Sequence, residues 1–120
     1  MSEIKRGYAD LHEHLEALES RGLLLRVDRP IDKDAEMHPL VRWQFVGGLP
    51  EEARRAFLFT NVIDGRGRRY ALPVVVGAMA ANRAVYSVGM GVPLEEIQAR
   101  WDHAIANPVE PRVVEEAVCH

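Results

Sequence analysis

The five histidines are the residues with which this chain could bind a metal ion. His12 and His14 lie two positions apart in a segment with helical periodicity, so their side chains project about 200° apart and cannot share an ion. His12 and Glu16 have the four-residue spacing of neighbours on a helix, but two ligands are too few for a zinc site. A solvated polar face is therefore the favoured interpretation of these residues. The remaining candidates belong to no larger cluster in the sequence; they are His38, His103, Cys119 and His120.

Two glycine-containing segments could bind a phosphate group, because backbone N–H groups beside glycine can approach an anion closely. The segment Gly89–Leu94 lacks the third glycine of a dinucleotide fingerprint and follows a helical pattern where that fingerprint requires a strand. We interpret it as the end of a helix followed by a turn. The loop between Asp64 and Tyr70 could contact an anion, although a solvated hairpin tip is the simpler interpretation. Its basic residues are Arg66, Arg68 and Arg69.

Residues for nucleophilic or acid–base catalysis form no recognisable constellation in this sequence. Ser20 and Ser87 lie in helical patterns without the G-x-S-x-G elbow of a hydrolase. Cys119 lies in a predicted tail, where no base is expected to fold against it. Trp43 and Trp101 are predicted to be core anchors rather than platforms for a ligand. We therefore predict no catalytic, cofactor-binding or metal-binding residue in this chain.

The first helix is the most completely specified element. Asp10 is a good N-cap, and Glu13 stands three residues later, as a capping box requires. Arg21 lies in the predicted last turn, where a positive charge suits the helix dipole, and Gly22 can adopt the left-handed conformation that ends a helix. One face of this helix is predicted to be apolar, and it consists of Tyr8, Leu11, Leu15 and Leu18.

Further strands and helices follow along the chain. A strand at Leu23–Val27 ends at an Asp-Arg-Pro turn, and a second helix begins near Pro39 and runs through Phe45. The later elements are a polar turn or short helical piece at Pro50–Arg55, a hairpin of strands at Phe57–Val62 and Tyr70–Val76, and helices at Ala78–Gly89 and Leu94–Ala106. Together they predict an α+β fold, with a small β-sheet flanked by about four helices. We expect a single domain over residues 1–108 and a tail or linker over 109–120.

The last two helices have candidate buried faces. Met79, Val85 and Val88 are the predicted core positions of the Ala78–Gly89 helix. The final helix is amphipathic, and its apolar face consists of Leu94, Ile97, Trp101 and Ile105. Asn107 and Pro108 end it, because the residue before a proline disfavours helical backbone angles.

Composition excludes several classes of partner. The 120 residues carry a formal net charge of −3, which provides no field to attract nucleic acid. No apolar run approaches the ~20 residues that a membrane-spanning helix needs, so we expect no membrane partner. The single cysteine excludes an internal disulfide framework and favours a cytoplasmic location.

Four segments, taken in order, resemble the N-terminal domain of the UbiD-like decarboxylases, the 3-octaprenyl-4-hydroxybenzoate carboxy-lyase type. The opening helix, strand and turn of that family resemble DLHEHLEALESRGLLLRVDRPID. The next apolar strand and its turn are similar to FLFTNVIDG, and the strand and helix after them to PVVVGAMAANRAVYSVGMG. The last helix and the exit toward the flavin domain resemble LEEIQARWDHAIANPVEPRVVEEAVCH. The order and spacing of the segments carry the resemblance, which covers nearly the whole chain.

The resemblance implies that the full enzyme carries out non-oxidative decarboxylation of aromatic or α,β-unsaturated carboxylic acids. It implies prenylated FMN, a divalent metal ion (Mn or Mg) and potassium as cofactors, with a catalytic Glu-Arg-Glu set in a domain downstream of this sequence. We therefore expect this chain alone to bind no cofactor, and its partners to be the remaining domains or a catalytic subunit. A homo-oligomer is expected for the full-length form. The alternative is a free-standing interaction domain or accessory subunit without catalytic activity.

Overall fold

A computed structural model describes residues 7–119 of the chain, and these residues form an α+β fold. The helices are α1 (Leu11–Ser20), α2 (Met37–Val46), α3 (Arg83–Met90) and α4 (Ile97–Ala106). The strands are β1 (Leu24–Val27), β2 (Ile31–Asp32), β3 (Ala56–Phe59), β4 (Val62–Ile63) and β5 (Val74–Val76). Short 3₁₀ turns at Glu51–Ala53 and Leu94–Glu96 precede β3 and α4. The predicted fold class, a small sheet with four helices, is thereby confirmed.

The strands form two small sheets. In the larger sheet β3 lies between β1, which runs parallel to it, and β5, which runs antiparallel. The smaller sheet is a parallel pair of β2 and β4. The predicted hairpin partners do pair, with Phe57 opposite Val76, but the second strand is shorter than predicted. The shortening has a local cause, because Pro73 has no N–H to donate and the N–H of Tyr70 binds the carbonyl of Val62 at 2.9 Å.

The larger sheet separates two parts of the core. Side chains alternate along β3, so that Ala56 faces one side while Phe57 and Phe59 face the other. On the first side α1 and α3 contribute Leu18 and Val85, both fully buried. On the second side the strand packs with a cluster that consists of Ile31, Met37, Phe57, Phe59 and Val62. The helices α1 and α3 therefore cover one face of the sheet, and α2 covers the other.

The predicted caps of α1 are confirmed. The Asp10 carboxylate accepts a hydrogen bond from the N–H of Glu13 at 3.0 Å. Gly22 has φ +69°, and the N–H of Leu23 binds the carbonyl of Leu18 at 2.9 Å. This geometry ends the helix and turns the chain directly into β1.

The start of α3 differs from the prediction. The helix begins after Asn82 rather than at Ala78, and residues 77–81 form turns instead. Asn82 has an extended backbone, and its side-chain oxygen accepts from the N–H of Val85 at 2.8 Å. The predicted core positions Val85 and Val88 are confirmed, whereas Met79 is exposed because it precedes the helix. An asparagine cap therefore overrides the helix propensity of the alanines before it.

The C-terminal part of the described chain packs loosely. Among the residues of α4, all of which are described, none is buried. The segment 107–119 contains neither helix nor strand and is exposed throughout. No helix among residues 7–119 is long and apolar enough to cross a bilayer.

Candidate functional site

His14 occupies the core, so the interpretation as a solvated polar face is wrong for it. Its side chain is only 5% exposed, and Nε2 lies 2.7 Å from the carbonyl oxygen of Ala78. The proton on Nε2 must therefore donate to that carbonyl, which ties α1 to the turn before α3. The ring also meets Tyr8 edge to face, with centroids 5.1 Å apart, while Nδ1 is buried without a hydrogen-bond partner. The sequence signal for this position is that His14 lies one helical turn before the buried Leu18.

The other metal-ligand candidates stay apart. His12, His38 and His103 are exposed, and Cys119 is an exposed free thiol. Among residues 7–119, no group of three or more His, Cys, Asp or Glu side chains could hold a metal ion. His120 lies outside the described residues. The structure thus places none of the described candidates in a group of three ligands.

The glycine loop after β4 is held by carboxylates of this chain. The Asp64 carboxylate accepts from the N–H groups of Arg68 and Arg66, at 2.9 and 3.0 Å, and from the hydroxyl of Tyr70 at 3.1 Å. The N–H groups of Arg68 and Arg66, with the Tyr70 hydroxyl, lower the pKa of Asp64. The Asp34 carboxylate accepts from the N–H of Gly65 at 3.0 Å. The backbone N–H groups of Gly65, Arg66 and Arg68 are therefore already bound, and the interpretation as a hairpin tip fits this geometry.

The Gly89–Leu94 segment ends α3 and turns the chain. Gly91 has φ +66°, and its N–H binds the carbonyl of Ser87 at 2.9 Å. The buried hydroxyl of Ser87 donates to the carbonyl of Val92, which closes the same turn. The hydroxyl of Ser20 donates to the carbonyl of Ala17 at 3.0 Å. Both serines serve the ends of helices.

Three further polar side chains hold the body together, and the sequence analysis assigned them no role. Asn82 donates to the carbonyl of Arg54 at 2.9 Å while it caps α3. Gln44 is buried in α2 and binds both the N–H and the carbonyl of Arg55 at 3.0 Å. The Glu51 carboxylate binds the N–H and the guanidinium of Arg83 at 2.9 and 3.0 Å, and the guanidinium lowers the pKa of Glu51. Apart from the cap of α3, each of these contacts spans more than ten residues, so local patterns carry little signal for them.

A groove of about 520 Å³ lies beside α3. It is lined mainly by apolar side chains, and the charged residues on it are Arg21 and Glu95. Its lining residues are Arg21, Leu23, Ala84, Ser87, Val88, Pro93, Leu94 and Glu95. Such a surface favours apolar contact over the binding of a charged ligand.

Neither tryptophan is a core anchor, which corrects the prediction made for them. Trp43 is 53% exposed on α2, and Trp101 is 46% exposed on α4. The indole N–H of Trp101 donates to the hydroxyl of Tyr86 on α3. The apolar face predicted for the last helix therefore exists, but it lies at the surface.

Comparison with known proteins gives the family of this chain. The sequence model of the 3-octaprenyl-4-hydroxybenzoate carboxy-lyase N-terminal domain, the first domain of UbiD, matches residues 15–105. The chain belongs to this family. Among proteins with curated functions, none matches the chain significantly.

Two solved structures of one UbiD-class enzyme are similar to the chain. HmfF of Pelotomaculum thermopropionicum, solved in complex with FMN, is 32% identical over 87% of this chain, with a TM-score of 0.58. An evolved dimeric form of HmfF in complex with prenylated FMN is 30% identical over 89% of this chain, with a TM-score of 0.61. This UbiD domain covers only 20% and 22% of those chains.

The described residues offer few partners for a divalent metal ion or a flavin phosphate, two of the groups that UbiD-like enzymes are expected to use. A divalent metal ion finds no set of three ligands among residues 7–119. A flavin phosphate would meet one arginine on the apolar groove, Arg21, together with the carboxylate of Glu95. No step of a reaction is therefore assigned to this chain.

Proposed function

We propose that this chain is the N-terminal, non-catalytic domain of a UbiD-class decarboxylase. The observation that carries the proposal is the match of the N-terminal domain family over residues 15–105, in a chain with one fifth of the length of a similar UbiD-class enzyme. The roles of the polar groups support it, because His14, Asp64 and Ser87 are bound to backbone groups of this chain. The domain comprises residues 1–108, and 109–120 form the link to the next domain.

The substrates of the whole enzyme are, by this proposal, aromatic or α,β-unsaturated carboxylic acids, from which it removes carbon dioxide without oxidation. Prenylated FMN, a Mn or Mg ion and potassium would be held by the part of the enzyme outside this domain, which we call the flavin-binding part. The neighbours support the flavin, since HmfF is solved with FMN and its evolved form with prenylated FMN. We further propose a cytoplasmic enzyme that is a homo-oligomer at full length.

The decisive experiment begins with the coding sequence directly downstream of the codon for His120. We expect it to encode a flavin-binding part, either on the same polypeptide or as a separate subunit. The two parts, produced together and purified by a tag on this chain, should co-elute with bound flavin and should decarboxylate an aromatic or α,β-unsaturated acid. Decarboxylation by the 120-residue chain alone would contradict the non-catalytic assignment. A stable monomer that captures no flavin-binding part would favour the alternative, a free-standing interaction domain.

A further inference from the structure

The helix α4 is held to the body of the domain by a narrow contact. Ile97 at its start is partly buried, and the indole of Trp101 binds the hydroxyl of Tyr86. The helix is also stabilised by its own groups, such as the bond of 2.9 Å from Gln98 to Asp102. A ten-residue helix is only marginally stable without tertiary packing, and no residue of α4 is buried. Further packing on α4 would therefore stabilise it.

The apolar stripe of α4 becomes more exposed along its length. Ile97, Trp101 and Ile105 follow one another at four-residue spacing and therefore share one side of the helix. Ile97 is partly buried, Trp101 is 46% exposed and Ile105 is 74% exposed. Leu94, which lines the apolar groove, is also exposed and continues the stripe at its N-terminal end. We call this surface, formed by Leu94, Ile97, Trp101 and Ile105, the α4 face.

We propose that the α4 face is the seat on which the flavin-binding part of the enzyme docks. This inference rests on the proposed function and adds to it the surface of contact. The matching family is an N-terminal domain, so the remainder of the enzyme follows it in sequence. The last helix among the described residues is α4, and the segment 107–119 leads from it toward that remainder. A domain joined to the chain beyond α4 meets the α4 face at a higher effective concentration than a free partner does.

A second copy of this chain fits the α4 face less well. Specific interfaces between independent chains bury about 800 Å² on each partner, and a stripe of four partly exposed side chains supplies a small part of that area. A tethered domain needs less contact area, because the tether has already reduced the entropy that association costs. The observations therefore favour the flavin-binding part as the occupant.

Hydrogen exchange on the complete enzyme tests the proposal, with Ile105→Ser as the test variant and Val46→Ser as its control. Val46 is a matched position, because it lies at the end of α2 and is 69% exposed, against 74% for Ile105. We expect the amides of residues 97–106 to exchange about tenfold or more slowly in the complete enzyme than in the 120-residue chain. Ile105→Ser should remove most of that protection, and Val46→Ser should leave it in place.

Each contrary result has a distinct meaning. Equal exchange of residues 97–106 in the chain and in a flavin-loaded, active enzyme would overturn the docking site while leaving the proposed function intact. Failure to find or capture any flavin-binding part would overturn both. Protection that rises with the concentration of the 120-residue chain alone would show that a second copy is the occupant. Equal loss of protection in both variants would show a general loosening, and an unchanged thermal unfolding midpoint of the isolated Ile105→Ser chain is the check on its folding.

Discussion

His14 shows how much one buried side chain can matter in a domain of this size. Its imidazole fills space beside Tyr8 and donates a hydrogen bond to the Ala78 carbonyl. We expect His14→Ala to lower the free energy of unfolding by about 2–4 kcal/mol, because it leaves a cavity and a carbonyl without its donor. Urea denaturation followed by circular dichroism measures the change.

The control for His14 lies two residues away on the same helix. His12 is exposed, so His12→Ala should change the free energy of unfolding by less than about 0.5 kcal/mol. If both substitutions had the same small effect, the contact between His14 and the Ala78 carbonyl would have no energetic importance.

Three carboxylates give the domain a stability that depends on pH. The Lys33 ammonium and the N–H of Gly65 lower the pKa of Asp34, and backbone N–H groups lower that of Asp64. The Arg83 guanidinium lowers the pKa of Glu51. A pKa that is lower in the folded than in the unfolded state adds stability above the unfolded value, and this stability is lost as the pH falls through the folded value.

We therefore expect the unfolding midpoint in urea to fall as the pH is lowered below about 4, where unfolded carboxylates take up protons. Asp64→Asn should weaken the domain at pH 7 and make its stability less dependent on acid, because the amide cannot accept from all three donors. A midpoint that stayed constant between pH 6 and pH 3 in the wild-type chain would contradict the role of these carboxylates.

At the level of elements, Asn82 fixes where α3 begins and what it contacts. Its oxygen caps the helix, and its amide nitrogen donates to the carbonyl of Arg54 just before β3. Asn82→Ala should lower the free energy of unfolding by about 2–3 kcal/mol, since it removes both a cap and a largely buried hydrogen bond. Asn82→Ser keeps a capping oxygen but cannot reach both partners, so its loss should be smaller. An equal loss in the two variants would show that the cap itself contributes little.

Local sequence patterns predicted α1 well and other elements poorly, and the difference has a physical cause. The caps of α1 are contacts between residues three to five apart, which a sequence displays directly. The strand β2, for which the sequence analysis predicted no element, has only two residues and exists because Ile31 pairs with Val62 far along the chain. The burial of His14 similarly depends on the distant Ala78. Trp101 is half exposed because α4 packs loosely on the rest of the described chain. Patterns within one element carry no information on such distant partners.

On the scale of the whole molecule, a domain can keep a firm core while its last helix stays uncovered. The sheet and the helices α1, α2 and α3 enclose two clusters of buried side chains, whereas α4 and the segment 107–119 contribute none. The chain corresponds to about a fifth of a UbiD-class enzyme, so surface that is exposed here need not be exposed in the complete protein. The helix that we propose as the docking seat should accordingly respond to the rest of the enzyme more strongly than the body does.

The isolated chain is expected not to bind flavin. Titration of the 120-residue chain with FMN should leave the flavin absorbance and fluorescence unchanged, because the apolar groove offers a phosphate one arginine beside a carboxylate. The same titration of the complete enzyme should show saturable binding. The variant Glu95→Gln sharpens the test, since it removes the carboxylate from the groove and should still give no binding if the flavin site lies elsewhere. Saturable binding of FMN by the isolated chain, weakened by Arg21→Gln, would place a flavin site in this domain. It would contradict the proposal that the flavin is held by another part of the enzyme.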